Sequence, residues 1–368
     1  MNVILQVSTG LFHHCTEPDP EAVRKRLEAL CDRLPVRGII YGWGKRTGLY
    51  ETILETAHRY GAEAWMWLPV FADVRAPEAA EPMISFGSAS ERGIAACPGE
   101  EFRFICPGSR RNLDALIETY EKWTAGCEPD GVFLDRIRYP SAVYSPTDFL
   151  GCGCEACRAR LQQAGIDPQR LQARMARKKG LDSCLPDRME NGRYHYPDPD
   201  LEGLAQMKRS IITDSVGEYS QTFHKKGIKV GIDVFAPALA DLVGQDLAAL
   251  LPLTDLVKPM MYFRTLAPAG IPYELEAYGQ PLAKRLAALW GTEIGEDASM
   301  ERQLRSLGDS QGKICPGIEI NRIPGICEPD GKGFRQAFRA AEATGCDTMV
   351  LSWNVMKARE EELREIEF

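Results

Sequence analysis

The feature that most constrains the fold is a recurring junction, in which a helical segment passes through a glycine into a short apolar run. It occurs as "RYGAEAWMW" (59–67), "KKGIKVGID" (225–233) and "ATGCDTMVLSW" (343–353). Glycine at a helix end supplies the left-handed cap from which the chain can turn into a strand. Eight apolar or alternating runs are bounded by Gly, Pro or charge: 2–9, 37–43, 62–70, 130–137, 228–236, 255–262, 314–321 and 347–353. Helical patterns lie between most of them, including "PEAVRKRLEALCDRL", "YETILETAHRYG", "RNLDALIETYEKWTAG" and "FRQAFRAAEATGC". Strands that alternate with helices pair in parallel through right-handed crossovers. Eight such units predict an α/β chain folded as one (β/α)8 barrel over residues 1–368. The first strand is followed by no G-x-G-x-x-G, which disfavours an open dinucleotide-binding sheet.

Two connections exceed what a bare barrel needs. One is the loop at 72–110; the other is an insertion at 141–205, rich in Cys, Arg, Pro and Asp. Loops that follow barrel strands line the active-site face, so both should bear on function.

Charge and hydropathy exclude some partners. The net charge of -8, with no long basic run, argues against nucleic acid. "RMARKKG" (174–180) reads as a solvated helix end. No apolar run reaches the ~18 residues of a membrane span, and "MNVILQVSTG" reads as a strand rather than a leader. If Met1 is the natural start, the expected location is the cytosol.

The strand ends carry the chemistry. "DGVFLDRIRYP" (130–140) runs from apolar residues into Asp135 and Arg138. The first strand leads to Ser8, Thr9, His13 and His14, and the third holds Trp65 and Trp67. Later strands end in Asp233, in Lys258 and Tyr262, in Glu319, Asn321 and Arg322, and in Trp353 and Asn354. Carboxylates, flat aromatic faces and a few cations on one face are what glycoside cleavage needs. One carboxyl protonates the leaving oxygen, another acts as nucleophile or base, and aromatic rings hold the sugar. The expected catalytic set is Asp135, Asp233 and Glu319. Arg138 and Lys258 would orient and charge-balance them, with Tyr262, Trp67, Trp353 and His13 contacting sugar. Structural readings stand beside these: Asp135 paired with Arg136 or Arg138, Asp233 capping a turn, Glu319 paired with Lys258 or Arg322. Trp43 and Trp123 read as core.

Twelve cysteines are many for a chain of this length. Cys152, Cys154 and Cys157 form C-x-C-x-x-C inside the insertion, and Cys184 could complete a four-sulfur site for a structural zinc. Free thiols, or one disulfide in an exported protein, are the rival readings. No cofactor is expected to serve catalysis.

At these residues the chain resembles glycoside-hydrolase-like barrels related to the alpha-amylase group. Their fourth-strand G-x-x-x-D-x-x-R-[YF]-P is matched by Gly131, Asp135, Arg138, Tyr139 and Pro140. "CPGSRRNLDALIETYEKW" resembles the element that precedes that strand, and "GCGCEACR" a Cys-rich element that follows it in some members. "GIDVFAP" and "KPMMY" are similar to the fifth and sixth strands. The resemblance implies a nucleophile at Asp135 and an acid at Asp233, although the amylase acid is a glutamate and Phe133 stands where an arginine is expected. A weaker similarity to chitinase-type barrels rests on "DGVFLD", "MMY" and "LSW", and places Ile137 where the acid glutamate belongs. The expected activity is hydrolysis of an O-glycosidic bond in an oligo- or polysaccharide. The alternative is a carbohydrate-binding barrel without catalysis; a metal-dependent hydrolase would need more than His13 and His14.

Overall fold

The computed structural model describes the chain except residues 10–17, 43–46, 73–79, 86–93, 98–99, 103, 146–147, 176–179, 309–311 and 365–368. Eight parallel strands close into a barrel. They are β1 (Asn2–Ser8), β2 (Val36–Gly42), β3 (Glu63–Pro69), β4 (Gly131–Asp135), β5 (Lys229–Phe235), β6 (Leu256–Met260), β7 (Gly317–Glu319) and β8 (Thr348–Ser352). β1 closes the ring by pairing with both β2 and β8. The expected (β/α)8 architecture is therefore the observed one.

The glycine junctions behave as their chemistry requires. Gly61, Gly227 and Gly345 have φ of 69°, 75° and 77°. Beyond each, a backbone N–H reaches back to the last helical turn: Ala62 to Ala57 O, Ile228 to Phe223 O, Cys346 to Ala341 O, at 2.9–3.1 Å. This bond closes the helix and aims the chain at the barrel. Helix starts are set as locally. Asp19 caps the helix Pro20–Cys31 through Ala22 N, and Asp198 caps Pro199–His224 through Asp200 N and Leu201 N. Each of these two helices opens on a proline, which needs no N–H partner there.

Register decides what the barrel encloses. Parallel partners point the same way, and residues alternate in and out along each strand. One continuous set follows the pairings round the ring: Ile4 with Gly38, Gln6 with Ile40, Ile40 with Trp65, Trp67 with Phe133 and Asp233 with Lys258. Glu319 with Ser352 belongs to the same inward set. Trp65 fills the lower interior, where Gly131 and Gly231 leave it room. A Cβ on Gly131 would meet the Trp65 ring at 2.4 Å. Gly131, the first residue of the fourth-strand motif, is thus a packing requirement. Trp65 is a core residue and does not reach the strand ends beside Trp67.

The insertion packs as folded structure. It carries helices Glu155–Gln163 and Pro168–Met175 and a hairpin, Arg188–Glu190 with Arg193–His195, turned at Asn191 and Gly192. Both turn residues have positive φ, as a two-residue hairpin turn demands. Lys208, buried on the helix Pro199–His224, ties the insertion down by donating to Phe149 O at 2.9 Å and Leu242 O at 2.7 Å. Among the described residues, no helix is long and apolar enough to cross a membrane.

Gly131→Ala should cost ~1–3 kcal/mol, the usual penalty for overpacking a closed core. Urea unfolding would show a lower midpoint at an unchanged slope. An unshifted midpoint would mean that the Trp65 ring does not occupy that space.

Candidate active site

Polar side chains gather at the C-terminal ends of the strands. Asp135, the last residue of β4, is buried and held from both sides: Trp67 Nε1 donates to Oδ2 at 3.0 Å, and the Arg136 N–H to Oδ1 at 2.5 Å. Arg136 itself has φ 54°, an uncommon conformation for a residue with a side chain. Its guanidinium is anchored on Ala72 O at 2.8 Å. The strained residue sits beside the proposed reactive carboxylate, where such strain is often found.

Leu134 pairs with Ile232, so one further step along both strands sets Asp135 beside Asp233. Asp233 pairs in turn with Lys258 on β6, and Lys258 Nζ lies 2.8 Å from Asp233 Oδ2. Asp135, Asp233 and Lys258 thus form a row across three adjacent strands. Lys258 is fully buried and lies 5.4 Å from the Tyr262 ring centroid. Gly317 gives it space, since a Cβ there would meet Lys258 Cε at 2.4 Å.

Asp233 differs from Asp135 in one respect: its Oδ1 is buried and has no hydrogen-bond partner. Burial pushes its carboxyl up to about 7, with Lys258 opposing and the charge of Asp135 reinforcing the rise. Burial also raises the Tyr262 phenol well above its ordinary value, with Asp233, Asp135 and Glu319 adding to the rise. Tyr262 therefore stands within electrostatic reach of all three carboxyls.

Glu319 is bound up in a different way. Oε2 accepts from Phe263 N at 3.0 Å, while Oε1 accepts from Arg264 N at 2.7 Å and Thr265 Oγ1 at 2.8 Å. Burial pushes it up to about 7 against those three donors. Its oxygens hold the segment after β6. Neither scaffold pairing expected from sequence occurs, since Lys258 meets Asp233 and Arg322 turns to Pro329 O and Glu328.

Arg138 is likewise enclosed. Its guanidinium lies 4.6, 5.4 and 5.7 Å from the Phe235, Phe104 and Tyr144 rings and donates to Tyr144 Oη at 3.1 Å. Only 4% of its surface is exposed. Trp67, Tyr262 and Trp353 are also largely buried, and Asn321 Oδ1 fixes Trp353 by accepting from its backbone N–H at 2.7 Å. His13 lies outside the described residues, as do His14 and Trp43.

Ser8 was named at the end of the first strand, but Gln6 escaped notice in the sequence. They lie on the inward face of β1, and the Gln6 amide atoms and Ser8 Oγ are buried without hydrogen-bond partners. Buried polar atoms of that kind usually await a ligand or water. The signal that could have found Gln6 is its parity with Ser8.

Four cysteines could hold a metal ion: Cys106, Cys152, Cys154 and Cys157, with sulfurs all within 4.8 Å of one another. The expected fourth member, Cys184, is not among them. It is buried beside Ser183, its sulfur 3.9 Å from Ser183 Oγ. Cys106 comes from the loop after β3, 46 residues before Cys152 in the chain, so local spacing could not reveal it.

No family model matches the chain, and no curated protein does. Among solved structures, the PgaB (BpsB) glycoside hydrolase domain from Bordetella bronchiseptica aligns at a TM-score of 0.60 and 14% identity, covering 98% of this chain and 97% of that one. The catalytic domain of beta-amylase from Paenibacillus polymyxa aligns at 0.57 and 13%, covering 100% and 97%. Alpha-L-fucosidase isoenzyme 2 from Paenibacillus thiaminolyticus aligns at 0.56 and 13%, covering 100% of this chain and 48% of that one. At such identities the likeness is one of fold: the chain shares the barrel of glycoside hydrolases. The alpha-amylase-type motif gains no separate support.

A carboxyl raised in the folded state binds its proton there at pH values where the unfolded chain has lost it. Stability then falls as pH rises from the unfolded value through about 7. Asp233→Asn should remove up to one proton from this slope, about 1.4 kcal/mol per pH unit. Denaturant unfolding of both proteins from pH 5 to 7 reads it; parallel slopes would mean Asp233 is ionised throughout.

Proposed function

We propose that the protein is a glycosidase that cleaves an O-glycosidic bond in an oligo- or polysaccharide with Asp135 and Asp233. The observation that carries the reading is the pair itself: two carboxyls side by side on neighbouring strands, in unlike surroundings. Asp135 is gripped by Trp67 and the Arg136 amide. Asp233 has one oxygen on Lys258, and burial pushes the carboxyl up to about 7. A buried carboxyl pushed up toward neutral pH is suited to donate a proton beside a second carboxyl that attacks.

In the proposed reaction Asp135 attacks the anomeric carbon while Asp233 Oδ1 gives its proton to the departing glycosidic oxygen. Asp233 then takes a proton from water, which displaces Asp135 from the sugar. Adjacent strands lie about 4.8 Å apart, close to the ~5–5.5 Å carboxyl spacing of retaining enzymes and short of the ~6.5–9.5 Å of inverting ones. The proposed outcome is retention of anomeric configuration. Lys258 keeps Asp233 Oδ2 occupied so that the proton resides on Oδ1. Gln6, Ser8, Trp67, Tyr262 and Trp353 are the proposed sugar contacts. Arg138 balances the charge of Asp135 from within its aromatic enclosure, and Glu319 positions the loop after β6. Side chains alone carry this chemistry; the zinc proposed below is structural.

Activity should be sought on aryl glycosides and oligosaccharides of several sugars, with product anomers followed by NMR. On a turned-over substrate, Asp135→Asn should lose roughly three or more decades in kcat with the fold intact. Asp233→Asn should lose ~10²–10⁴-fold, the usual contribution of a general acid, and less with a good aryl leaving group. Glu319→Gln should retain most of kcat. Sugar binding without turnover across the panel would refute catalysis, and full activity in Asp135→Asn would refute the assignment.

A further inference from the structure

The four-cysteine cluster lies outside the carboxylate site and is independent of it. Cys106 Sγ is 3.6 Å from Cys157 Sγ and 3.9 Å from Cys154 Sγ. A disulfide would bring a pair to about 2.05 Å. Four sulfurs at the ~2.3 Å bond length of zinc thiolate, arranged tetrahedrally, lie about 3.8 Å from each other. These two separations, 3.6 and 3.9 Å, bracket that edge, and all four sulfurs lie within 4.8 Å of one another. Three of the four side chains are buried and Cys154 is half-buried, so the cluster is closed by protein.

We propose that Cys106, Cys152, Cys154 and Cys157 bind one zinc ion as a tetrathiolate. Four protein ligands leave no open position, so the ion is structural. Each thiol gives up its proton on binding, and the complex carries two net negative charges. One helix starts at this site. Cys154 is the N-cap residue of the helix Glu155–Gln163, with no side-chain cap hydrogen bond of its own. A helix start that presents N–H groups to an anion stabilises it.

Two loops that are separate in sequence meet at this ion. The insertion contributes Cys152, Cys154 and Cys157, and Cys152 also bridges to Ser85. The Gly153 N–H donates to Ile84 O at 2.5 Å. Cys106 ends the loop after β3, two residues beyond Phe104, whose ring packs on the Arg138 guanidinium. Zinc would therefore fasten the loop after β3 to the insertion after β4, on the side where Arg138 stands behind Asp135.

The test is metal analysis of the intact protein purified without chelator. The expected result is one zinc per chain, with four thiols becoming titratable as a mercurial reagent releases it. Cys106→Ser should abolish or sharply reduce the bound zinc, whereas Cys184→Ser should keep it at full stoichiometry. Because Cys106→Ser could fail to fold, cobalt(II) exchange into the wild-type chain provides a second reading, with the absorption bands of tetrahedral cobalt thiolate expected. Metal-free protein whose four thiols titrate freely would overturn the proposal, as would disulfides mapped among them. Iron at full stoichiometry in place of zinc would overturn the metal assignment, and full zinc retention in a folded Cys106→Ser would overturn the ligand set.

Discussion

The structure depends on how a closed barrel accommodates charge in its own interior. Lys258 is completely buried and Asp233 nearly so, yet they meet at 2.8 Å. Taking the Lys258 cation from water costs several kcal/mol, and its contact with Asp233 offsets this only when the geometry is good. Here the geometry follows from β5–β6 register, which sets the two residues directly opposite. Removing Asp233 leaves the Lys258 cation without this contact. The same register step that aligns Asp233 with Lys258 also brings Asp135 alongside, so the electrostatics of the mouth are a consequence of strand pairing. Asp233 Oδ1 is left as an unpartnered acceptor in a nearly dry environment, a condition that raises its proton affinity.

Much of this architecture was legible in the sequence, because it is written in local chemistry. Helix–Gly–strand junctions mark left-handed caps, and all three quoted glycines adopt them. The eight apolar runs coincide with the eight barrel strands to within a few residues at either end. Strand-end polarity also pointed to Asp135, Asp233 and Lys258. What the sequence could not display were relations across strands and between loops. Nothing local distinguishes Asp233, beside Lys258, from Glu319, whose oxygens are taken by Phe263, Arg264 and Thr265. Arg138 was expected to orient and charge-balance the carboxyls, and nothing local foretold that three rings enclose it. Cys106 joins the insertion cysteines only through folding, whereas Cys184 was merely near in sequence. Trp65 and Trp67 share a face, yet a two-residue difference in height puts one in the core and the other on Asp135.

The solved structures similar to this chain show how little the barrel itself specifies. Glycoside hydrolases share the fold at 13–14% identity, and one scaffold hosts many chemistries through its loops and strand ends. The functional reading therefore rests on Asp135, Asp233 and their surroundings. The long loops give those residues a second layer of support: Arg136 reaches to Ala72, Phe104 and Tyr144 enclose Arg138, and the cysteine cluster joins the two loop regions.

The proposed chemistry requires that Asp233 hold a proton near neutral pH, raised by burial and reinforced by the charge of Asp135. Carboxyl carbon NMR on isotopically labelled protein, comparing the wild type with Asp135→Asn, measures this without any substrate. Asp233 is expected to titrate at about 7 in the wild type and lower once the charge of Asp135 is gone. An Asp233 that titrates in the ordinary aspartate range, and does not respond to Asp135→Asn, would contradict that chemistry.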